Sequence, residues 1–514
     1  FHPQHAIPDA QESRGLGDVY KRQLCAHDSN VTYYDGEHLK YKSFERDFQA
    51  KHFGFGGIYG WTRILEEWNI KPWFVDAIAI VLDSHVHNEI QYDPQKLTEV
   101  IEIPVFRDLG FKCPIHRIDH HYAHSLSFWP MGVEPTINFV FDGFGDDWMY
   151  RSVWRGDKLI DSAKSSGAYI MNSSSFGFIM SHLGAVLNMK GNYLDHAGKV
   201  MALKAFGKHN NDVTSIDHID DLNKLWDFTV LDKHINDQMY IMDYIHTAHE
   251  ETEKIYLKHF QQFIKPDDIV GYSGGIAQNT IINKVLKDAI PNLVIPPHAN
   301  DQGLSIGAIE YLRKEYNLMS LPKEGFPFMQ DDEAPSRPST KTIKDTAEQL
   351  AQGKIVGWYQ GHGEIGPRAL GNRSILMNPF DPHGKDWINN KVKHREPYRP
   401  FGASVLEEKV SQHFYWNGPS PYMLYVTDVL EPEKFPTITH ADGTCRINTV
   451  SSEQEDYYML LQEYEKLTGV PVLLNTSLNN SGKPIAGRFC DALELYYKTD
   501  LDSLVIGDEI RSKS

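Results

Sequence analysis

Short apolar runs alternate with helix-period segments along most of the chain after residue 24. The run VDAIAIVLD at 75–83 is typical of a buried strand, and WTRILEEW at 61–68 is typical of an amphipathic helix. Three later stretches place an apolar strand before a glycine-containing turn, and they are TINFVFDGFGDD at 136–147, DIVGYSGGIAQNTIINKVLKDAI at 268–290 and NLVIPPHANDQGLSIGAIEYLRKEY at 292–316. This alternation predicts an α/β protein.

The alternation is interrupted between residues 318 and 343 by a stretch rich in proline, charge and small polar residues. This composition is typical of an interdomain linker, and 514 residues exceed what one ordinary core accommodates. We therefore predict one domain at 24–317 and a second at 344–514. Residues 1–23 are polar and lack the order of a signal peptide, so we expect an unstructured tail or non-native sequence there.

The composition limits the classes of function. A formal net charge of −18 argues against broad nonspecific binding of nucleic acid, although it is compatible with a local basic groove. No apolar run approaches the roughly 20 residues that a membrane helix needs, so we expect no membrane partner. The four cysteines are far apart and form no C-x-x-C pair, which indicates a reducing cytoplasm.

The stretch DHHYAHS at 119–125 contains three histidines within five positions. On a helix, His120 and His124 project from one face and could hold one metal ion, whereas His121 would point elsewhere. Asp142 and Asp301 follow apolar strands and lie beside glycine turns, where carboxylates could complete a divalent-metal site. A histidine-rich polar helix face would produce the same pattern, so this alternative stays open.

Two glycine loops have the backbone freedom to wrap phosphate groups. Gly143 and Gly145 belong to the first loop, and Gly274 and Gly275 to the second, which opens a helix whose N-terminus favours an anion. Lys199 is a candidate phosphate contact. No G-x-x-x-x-G-K-[ST] motif is present, and each loop taken singly is also typical of an ordinary turn.

A group of cations occupies the segments GPRALGNRS and NKVKHREPYRPFG in an otherwise acidic chain, and its members are Arg368, Arg373, Lys393, Arg395 and Arg399. Guanidinium groups beside glycine and proline turns suit bidentate binding of phosphate or carboxylate. Surface salt bridges are the alternative. The strand LLNTSLNN at 473–480 could add neutral hydrogen bonds to such an anion pocket.

Taken together, these motifs resemble the O-carbamoyltransferases of the nodulation-protein U and tobramycin-carbamoyltransferase family. The matching segments follow the family's order and are HDSN, DHHYAHS, FDGFGDD, GKVMAL, SGGIAQN, NDQGLSIGA, GPRALGNRSIL, KHREPYRPFGASVL and LLNTSLN. The resemblance implies a duplicated actin-like ATPase (ribonuclease H-like) domain followed by a YrdC-like α/β domain. Where the family has an acidic residue before GK, this chain has HAGK, with the acid absent or displaced to Asp195.

The resemblance also implies a two-step reaction. Carbamoyl phosphate and ATP, with Mg, would give carbamoyl adenylate in the second domain, and the carbamoyl group would then pass to an acceptor hydroxyl in the first. By motif position, carbamoyl-phosphate contacts fall on Arg368, Arg373, Lys393, Arg399, Asn475 and Ser477, and nucleotide contacts fall on the glycine loops, Lys199 and Asn279. Fe(II) or another divalent metal would lie on His120, His124, Asp142 and Asp301.

His27 of HDSN is the candidate general base, because neutral imidazole can take a hydroxyl proton near pH 7. A structural histidine at a strand end is the alternative. The acceptor is open between a small-molecule or sugar hydroxyl and 5-hydroxymethylcytosine in phage DNA, the latter because the head of the chain hints at an environmental, virus-encoded source. Two rival functions also stay open, a kinase or ATPase of the same fold and a noncatalytic metal- and nucleotide-binding partner. An oligomer is compatible with each.

Overall fold

The computed structural model describes residues 27–54, 58–82, 90, 92–165 and 173–513. The expected tail at 1–23 lies outside the described residues. The strands that precede the expected linker are Asn30–Tyr34 (β1), Leu39–Ser43 (β2), Ile78–Ile80 (β3), Thr98–Ile101 (β4), Ile115–Ile118 (β5), Ile137–Phe141 (β6), Met149–Arg155 (β7), Lys158–Lys164 (β8), Val270–Ser273 (β9) and Leu293–Val294 (β10). The predicted α/β class is confirmed.

The α-helices of this first part lie between and around three sheets. They are Phe44–Phe48 (α1), Ile58–Glu67 (α2), Pro104–Asp108 (α3), His120–Leu126 (α4), Phe176–Val186 (α5), His196–Leu203 (α6), Leu222–Leu225 (α7), Phe228–Lys233 (α8), Gln238–Phe263 (α9), Thr280–Ala289 (α10) and Leu304–Glu315 (α11). The sheets have the strand orders β1-β2, β3-β5-β4 and β10-β9-β6-β7-β8. Mixed pairing and helical cover are typical of a large α/β unit.

The central sheet sets the position of the functional residues. Strand β6 is buried along its whole length, which explains its unbroken apolar sequence INFVF. It pairs in parallel with β9, in the register Val140 with Ser273. Because both strands run in the same direction, their carboxyl ends meet at one edge of the sheet, and the loops that begin with Asp142 and Gly274 lie side by side.

Asp119 caps the N-terminus of helix α4, because its side chain accepts a hydrogen bond from the Tyr122 N–H at 2.9 Å. The helix is buried along its length between β6 and α11. A Cβ atom placed at Gly307 of α11 would overlap the carbonyl oxygen of Ala123 in α4. The two helices therefore approach so closely that only glycine fits at position 307. This contact determines how closely α4, which carries the three histidines, packs against α11.

The second part contains an eight-stranded sheet in the order β14-β15-β13-β16-β12-β11-β17-β18. Its strands are Val356–Tyr359 (β11), Arg373–Met377 (β12), Gly402–Leu406 (β13), Tyr425–Asp428 (β14), Thr444–Val450 (β15), Val472–Ser477 (β16), Ser503–Ile506 (β17) and Glu509–Ser512 (β18). Its α-helices are Thr340–Ala351 (α12), Gly384–Ile388 (α13), Glu455–Thr468 (α14) and Phe489–Lys498 (α15). The central strands β12, β13 and β16 are almost entirely buried.

The expected linker at 318–343 contains no helix or strand between the end of α11 and the start of α12 at Thr340. Gln330 forms single β-bridges with Tyr41 and with Gly363, so this segment connects the two parts through its backbone. The division at 24–317 and 344–514, and its actin-like and YrdC-like types, stay predictions. Within the described residues, no helix combines the length and the apolarity that crossing a membrane requires.

The contact between α4 and α11 predicts opposite effects for two glycine substitutions. Gly307→Ala should destabilise the protein by about 1–3 kcal/mol, because overpacking must separate the two helices. Gly198→Ala in α6 is the matched control, because a Cβ there meets no atom within 4 Å and alanine favours a helix by up to about 1 kcal/mol. Urea unfolding measures both. Equal stability of Gly307→Ala and the wild type would contradict the inferred close contact.

Candidate functional site

Four buried side chains converge where β6, α4 and the loop before α11 meet. The His120 Nε2 atom lies 2.9 Å from Asp142 Oδ2 and 3.3 Å from Asp301 Oδ1. The His124 Nε2 atom lies 3.4 Å and 3.3 Å from the same two oxygens. One ligand atom from each of the four residues lies within 4.8 Å of all the others. Two imidazoles and two carboxylates at this spacing fit a borderline divalent ion such as iron, manganese or zinc.

Backbone N–H groups hold the Asp142 carboxylate in place. Its Oδ1 atom accepts hydrogen bonds from Gly143 N at 2.8 Å and from Gly275 N at 3.0 Å, so Oδ2 faces the two histidines. A Cβ at Gly275 would lie 2.8 Å from this Oδ1 atom, and Gly274 has φ +89°, which favours glycine. Two of the glycines that we predicted as phosphate contacts, Gly143 and Gly275, thus donate their N–H groups to Asp142.

The third histidine of the helix points elsewhere, as its position in the sequence predicts. His121 Nδ1 lies 2.8 Å from the Ser152 hydroxyl, and its Nε2 atom lies 3.1 Å from the Met149 carbonyl oxygen. A Cβ at Gly145 would lie 2.6 Å from the His121 ring, so this glycine gives the ring room. Burial and the nearby positive charges of His120 lower the pKa of His121 to about 3.

The four-residue cluster has the electrostatics of a site that exchanges protons for a cation. Burial disfavours the charged form of His120, but Asp301 and Asp142 outweigh it and raise its pKa well above the usual value. The pKa of His124 is raised in the same way. Burial alone would raise the pKa of Asp142, yet its contacts with both histidines hold it well below the usual value. In the metal-free protein, the two carboxylates therefore favour the protonated form of the two rings, and the rings favour the ionised form of the carboxylates.

His27 lies beside this cluster. Its Nδ1 atom is 3.1 Å from Asp28 Oδ2 and 3.5 Å from Asp301 Oδ2. Burial lowers the pKa of His27, but the hydrogen bond to Asp28 and the charges of Asp301, Asp28 and Asp142 raise it to about 9. About a third of the side chain, 38%, is exposed, so an acceptor can approach it.

A second cluster consists of Arg368, Lys393, Arg395, Arg399 and Arg446, which we call the basic cluster. Burial and the charges of Arg446 and Arg399 lower the pKa of Arg368 well below its usual value. Burial, Arg395 and Arg399 do the same for Lys393. Cations that destabilise one another in a partly buried position are typical of an anion-binding pocket. Arg446, on β15, was missed in the sequence because TCRINTV has the pattern of an ordinary strand.

The carboxyl end of β16 holds the lysine of the basic cluster. Lys393 Nζ donates to the carbonyl oxygens of Ser477, at 2.7 Å, and Asn479, at 3.0 Å, and lies 3.2 Å from the Ser477 hydroxyl. Asn475 is fully buried and donates through Nδ2 to Ser404 Oγ at 2.9 Å and to Ala369 O at 3.2 Å. Its Oδ1 atom is buried without a hydrogen-bond partner among the described residues.

Arg373 does not join the basic cluster. Its guanidinium group is fully buried, lies 3.6 Å from the Tyr359 ring centroid and forms an ion pair with Asp332 at 3.0 Å. It also donates to the carbonyl oxygens of Gln360 at 2.6 Å and Glu333 at 3.0 Å. The structure thus gives Arg373 partners that connect β12 to the segment preceding α12.

Two predicted nucleotide contacts also have protein partners. Lys199 Nζ forms an ion pair with Glu396 at 2.7 Å and donates to the Lys190 carbonyl oxygen. Asn279 caps helix α10 by accepting from the N–H groups of Ile281 and Ile282, each at 3.2 Å. Lys199 therefore connects the first part of the chain to Glu396, which lies in the loop between Arg395 and Arg399. The side-chain oxygen of Asn279 stabilises the N-terminus of α10.

A single turn connects the metal-ligand cluster and the basic cluster. Gly275 donates its N–H to Asp142, and Gln278, at the other end of the 3-10 turn Gly275–Gln278, accepts a hydrogen bond from Arg368 at 3.1 Å. The turn spans roughly 6–8 Å at about 2 Å per residue. The two clusters are therefore neighbours that contact the two ends of one backbone turn.

A cavity of about 840 Å³ opens beside His27, His120 and Asp301. Residues 29–34 and 76–82 line the cavity without a gap in either run. Successive side chains of a strand point to opposite faces of the sheet, so a cavity above one face would contact only every second residue. The cavity is therefore bounded by the edges of these strands. Within the described residues, β1 pairs only with β2, and β3 pairs only with β5. The cavity is a gap between strand edges.

Comparison with known proteins identifies the class of the second part. Residues 347–513 match the family model described as Carbamoyltransferase C-terminus. This part of the chain is therefore similar to the C-terminal domain of carbamoyltransferases, and the resemblance to the O-carbamoyltransferases is confirmed.

Relatives and solved structures resemble parts of the chain. Nodulation protein NolNO of Sinorhizobium fredii is 37% identical over 267 residues, covering 47% of this chain and 39% of the relative. The 3'-hydroxymethylcephem-O-carbamoyltransferase of Amycolatopsis lactamdurans is 32% identical over 250 residues, covering 46% and 47%. The chain thus spans less than half of the length of each. The activator of the 2-hydroxyisocaproyl-CoA dehydratase from Clostridium difficile is 11% identical, covering 59% of this chain and 99% of its own, with a TM-score of 0.35.

The four-residue cluster predicts one tight site for a divalent cation. His124→Ala should weaken binding of Fe²⁺ or Mn²⁺ by more than about 100-fold, because even substitutions of residues that only support metal ligands cost 10–100-fold. Isothermal titration calorimetry on chelator-treated protein measures this effect. His121→Gln, on the same helix, is the control and should bind like the wild type. Equal loss in both variants would indicate damage to the helix instead of a lost ligand.

Metal affinity should also rise with pH. The pKa values of His120 and His124 are raised in the metal-free protein, and both rings must lose a proton before they bind a cation. Binding therefore releases protons, and the affinity for Mn²⁺ should increase from about pH 6 to about pH 8. Titrations in two buffers of different ionisation enthalpy measure the number of protons released. A pH-independent affinity with no proton release would contradict ligation by these two rings.

Proposed function

We propose that the protein is an ATP-dependent O-carbamoyltransferase that uses carbamoyl phosphate as donor and transfers the carbamoyl group to an acceptor hydroxyl. The observation that supports this most is the pairing of a partly buried basic cluster with a buried metal-ligand cluster across one short turn. The match of residues 347–513 to a carbamoyltransferase domain supports the choice of donor.

The basic cluster fits a small dianion. Among the described residues, the only ion pair between the basic cluster and a carboxylate joins Arg399 to Glu396 at 3.8 Å, and this carboxylate also pairs with Lys199 at 2.7 Å. Two guanidinium Nε atoms, those of Arg368 and Arg446, are buried without a hydrogen-bond partner in the described structure. An unpaired buried donor is costly, so a bound phosphate that accepts from both would stabilise the protein.

The first chemical step activates the carbamoyl group. Water first hydrolyses carbamoyl phosphate at its O–P bond and gives carbamate and inorganic phosphate. A carbamate oxygen then attacks the α-phosphorus of ATP, and the bond to the β-phosphate breaks and releases pyrophosphate. Arg368, Lys393, Arg399 and Arg446 bind the anionic reactants and stabilise the negative charge that develops on phosphate oxygens. Mg bound to ATP supplies further charge neutralisation. The product, carbamoyl adenylate, has AMP as a good leaving group.

The second step is transfer to the acceptor. The acceptor oxygen attacks the carbamoyl carbon, the C–O bond to AMP breaks, AMP leaves with the electron pair, and the hydroxyl proton moves to His27. A divalent metal on His120, His124, Asp142 and Asp301 would supply Lewis acidity. Two charges that raise the pKa of His27, those of Asp301 and Asp142, belong to these ligands. A cation on these ligands would offset both charges and lower the pKa of His27, as a base acting near neutral pH requires.

The acceptor is a hydroxyl compound, and it belongs to one of two chemical classes. Small molecules and sugars are favoured by the net charge of −18, which repels a polyanion, and a named cephem carbamoyltransferase is among the relatives. 5-Hydroxymethylcytosine in DNA stays the second class, because a flipped base needs only a local contact surface.

The proposal predicts a reaction that needs two donors. Pyrophosphate should be released only when ATP and carbamoyl phosphate are both present. Mass spectrometry should then detect a carbamoyl group on either a small hydroxyl compound or hydroxymethylated DNA. Phosphorylated product formed without carbamoyl phosphate would favour a kinase. Absence of pyrophosphate release under all conditions would favour a noncatalytic binding partner.

Variants of the basic cluster and of His27 should separate the donor-activation step from the transfer step. Arg446→Gln should raise the KM for carbamoyl phosphate by roughly 10–100-fold, because a hydrogen bond to a charged group contributes about 1.5–3 kcal/mol. His27→Asn should keep pyrophosphate release and lose transfer. Arg511→Gln is the control, because this arginine pairs with Glu509 on the edge strand β18 and should not affect either step. Normal kinetics in Arg446→Gln would exclude it from the donor site.

A further inference from the structure

A row of alternating acidic and basic side chains extends from His27 toward the basic cluster. His52 Nδ1 lies 3.1 Å and 3.0 Å from the two carboxylate oxygens of Asp28, whose Oδ2 also lies 3.1 Å from His27 Nδ1. The other ring nitrogen of His52 lies 3.5 Å from Asp195 Oδ1, which pairs with Lys51 at 2.7 Å. The Asp28 carboxylate thus lies between two imidazole rings.

The backbone around this row is held in an uncommon conformation. Asp28 has φ +50° and His52 has φ +54°, in the left-handed region that residues other than glycine seldom adopt. Two backbone contacts fix the pair, from Ser29 N to the Phe53 carbonyl oxygen at 3.0 Å and from His52 N to Glu45 Oε2 at 3.2 Å. Such strain persists where surrounding structure imposes it, and it is common at functional sites.

His52 is a cation in this environment. Burial lowers its pKa, but the hydrogen bonds and charges of Asp195 and Asp28 outweigh burial and raise it to about 10. The two histidines hold the pKa of Asp28 far below its usual value, although burial opposes this. At neutral pH the His52 imidazolium therefore lies between two carboxylates: Nδ1 donates a hydrogen bond to Asp28, and Nε2 forms an ion pair with Asp195 at 3.5 Å. We call this arrangement the ionic clamp.

We propose that Asp28 and His52 are positioning residues for His27. His52 fixes the Asp28 carboxylate, and Asp28 then accepts the Nδ1–H of His27, so that His27 Nε2 has the free electron pair that takes the acceptor proton. The tautomer follows from the chemistry of the partner, because an ionised carboxylate can only accept a hydrogen bond. This inference rests on the proposed carbamoyl transfer.

A purely structural role is the alternative. The same contacts attach the segment 49–53 to the residues that follow His27. Such an attachment would stabilise the fold even if it had no effect on the chemistry of His27. The two roles differ in the kinetic effect of substituting His52. If the role is structural, the substitution should change both reaction steps and metal binding together. A positioning residue would slow the transfer step alone.

The test compares His52→Gln and His52→Lys with the wild type and with His38→Gln, a control at an exposed histidine on the turn between β1 and β2. His52→Gln should lower kcat for transfer by roughly 10–100-fold, less than the loss of a general base itself, which is about 100–10,000-fold. Pyrophosphate release, metal content and the KM for carbamoyl phosphate should not change. His52→Lys should recover part of kcat, because it keeps a cation between the two carboxylates.

A spectroscopic readout separates this inference from the proposed function. In zinc-loaded protein labelled with ¹⁵N-histidine, NMR should show His27 protonated at Nδ1 and not at Nε2, and His52→Gln should speed the exchange of the Nδ1 proton with water. His27→Asn identifies the signal. If the wild type transfers no carbamoyl group, the proposed function fails, and this NMR result still decides the inference. Should His52→Gln not fold, Asp195→Asn weakens the same clamp from its part-exposed end.

Two results would overturn the inference. One is a wild-type kcat in His52→Gln together with an unchanged His27 signal. The other is an equal loss of pyrophosphate release, transfer and metal binding, with no recovery in His52→Lys, which would indicate the structural role.

Discussion

The hydrogen bonds that the Asp142 carboxylate accepts from the N–H groups of Gly143 and Gly275 are the interaction on which the candidate site depends. They exist because β6 and β9 are parallel neighbours and their loops leave the sheet at the same edge. One carboxylate oxygen is thereby occupied by backbone, and the other is aimed at the histidine helix. The close contact of α4 with Gly307 then places the histidines of that helix within reach of the second Asp142 oxygen.

Much of the first cluster could be predicted from the sequence, because its chemistry is local. His120 and His124 are four residues apart on one helix, and Asp142 and Asp301 follow apolar strands, so periodicity and strand direction suffice to suggest that they meet. The α/β class follows from the same alternation. The structure brings these four residues together, whereas the presence of a metal is decided by titration.

The second cluster shows what sequence patterns leave open. Arg373 and Arg368 both belong to the segment GPRALGNRS, yet Arg373 pairs with Asp332 from the segment before α12, a contact that depends on how a long irregular stretch folds back. Arg446 gives no local signal, because its role depends on the neighbours that β15 acquires in the sheet. Charge type is thus predictable, whereas the partner that uses each charge is a property of the tertiary fold.

The turn Gly275–Gln278 contacts both clusters, and this proximity bears on the fate of a reactive ester. An acyl adenylate that dissociates into water is exposed to hydrolysis, and the yield of product depends on the ratio of capture to escape. In the proposed two-step reaction, the adenylate would form and react on either side of one backbone turn, a distance that diffusion covers much faster than spontaneous hydrolysis proceeds. This proximity would favour high coupling of ATP consumption to product.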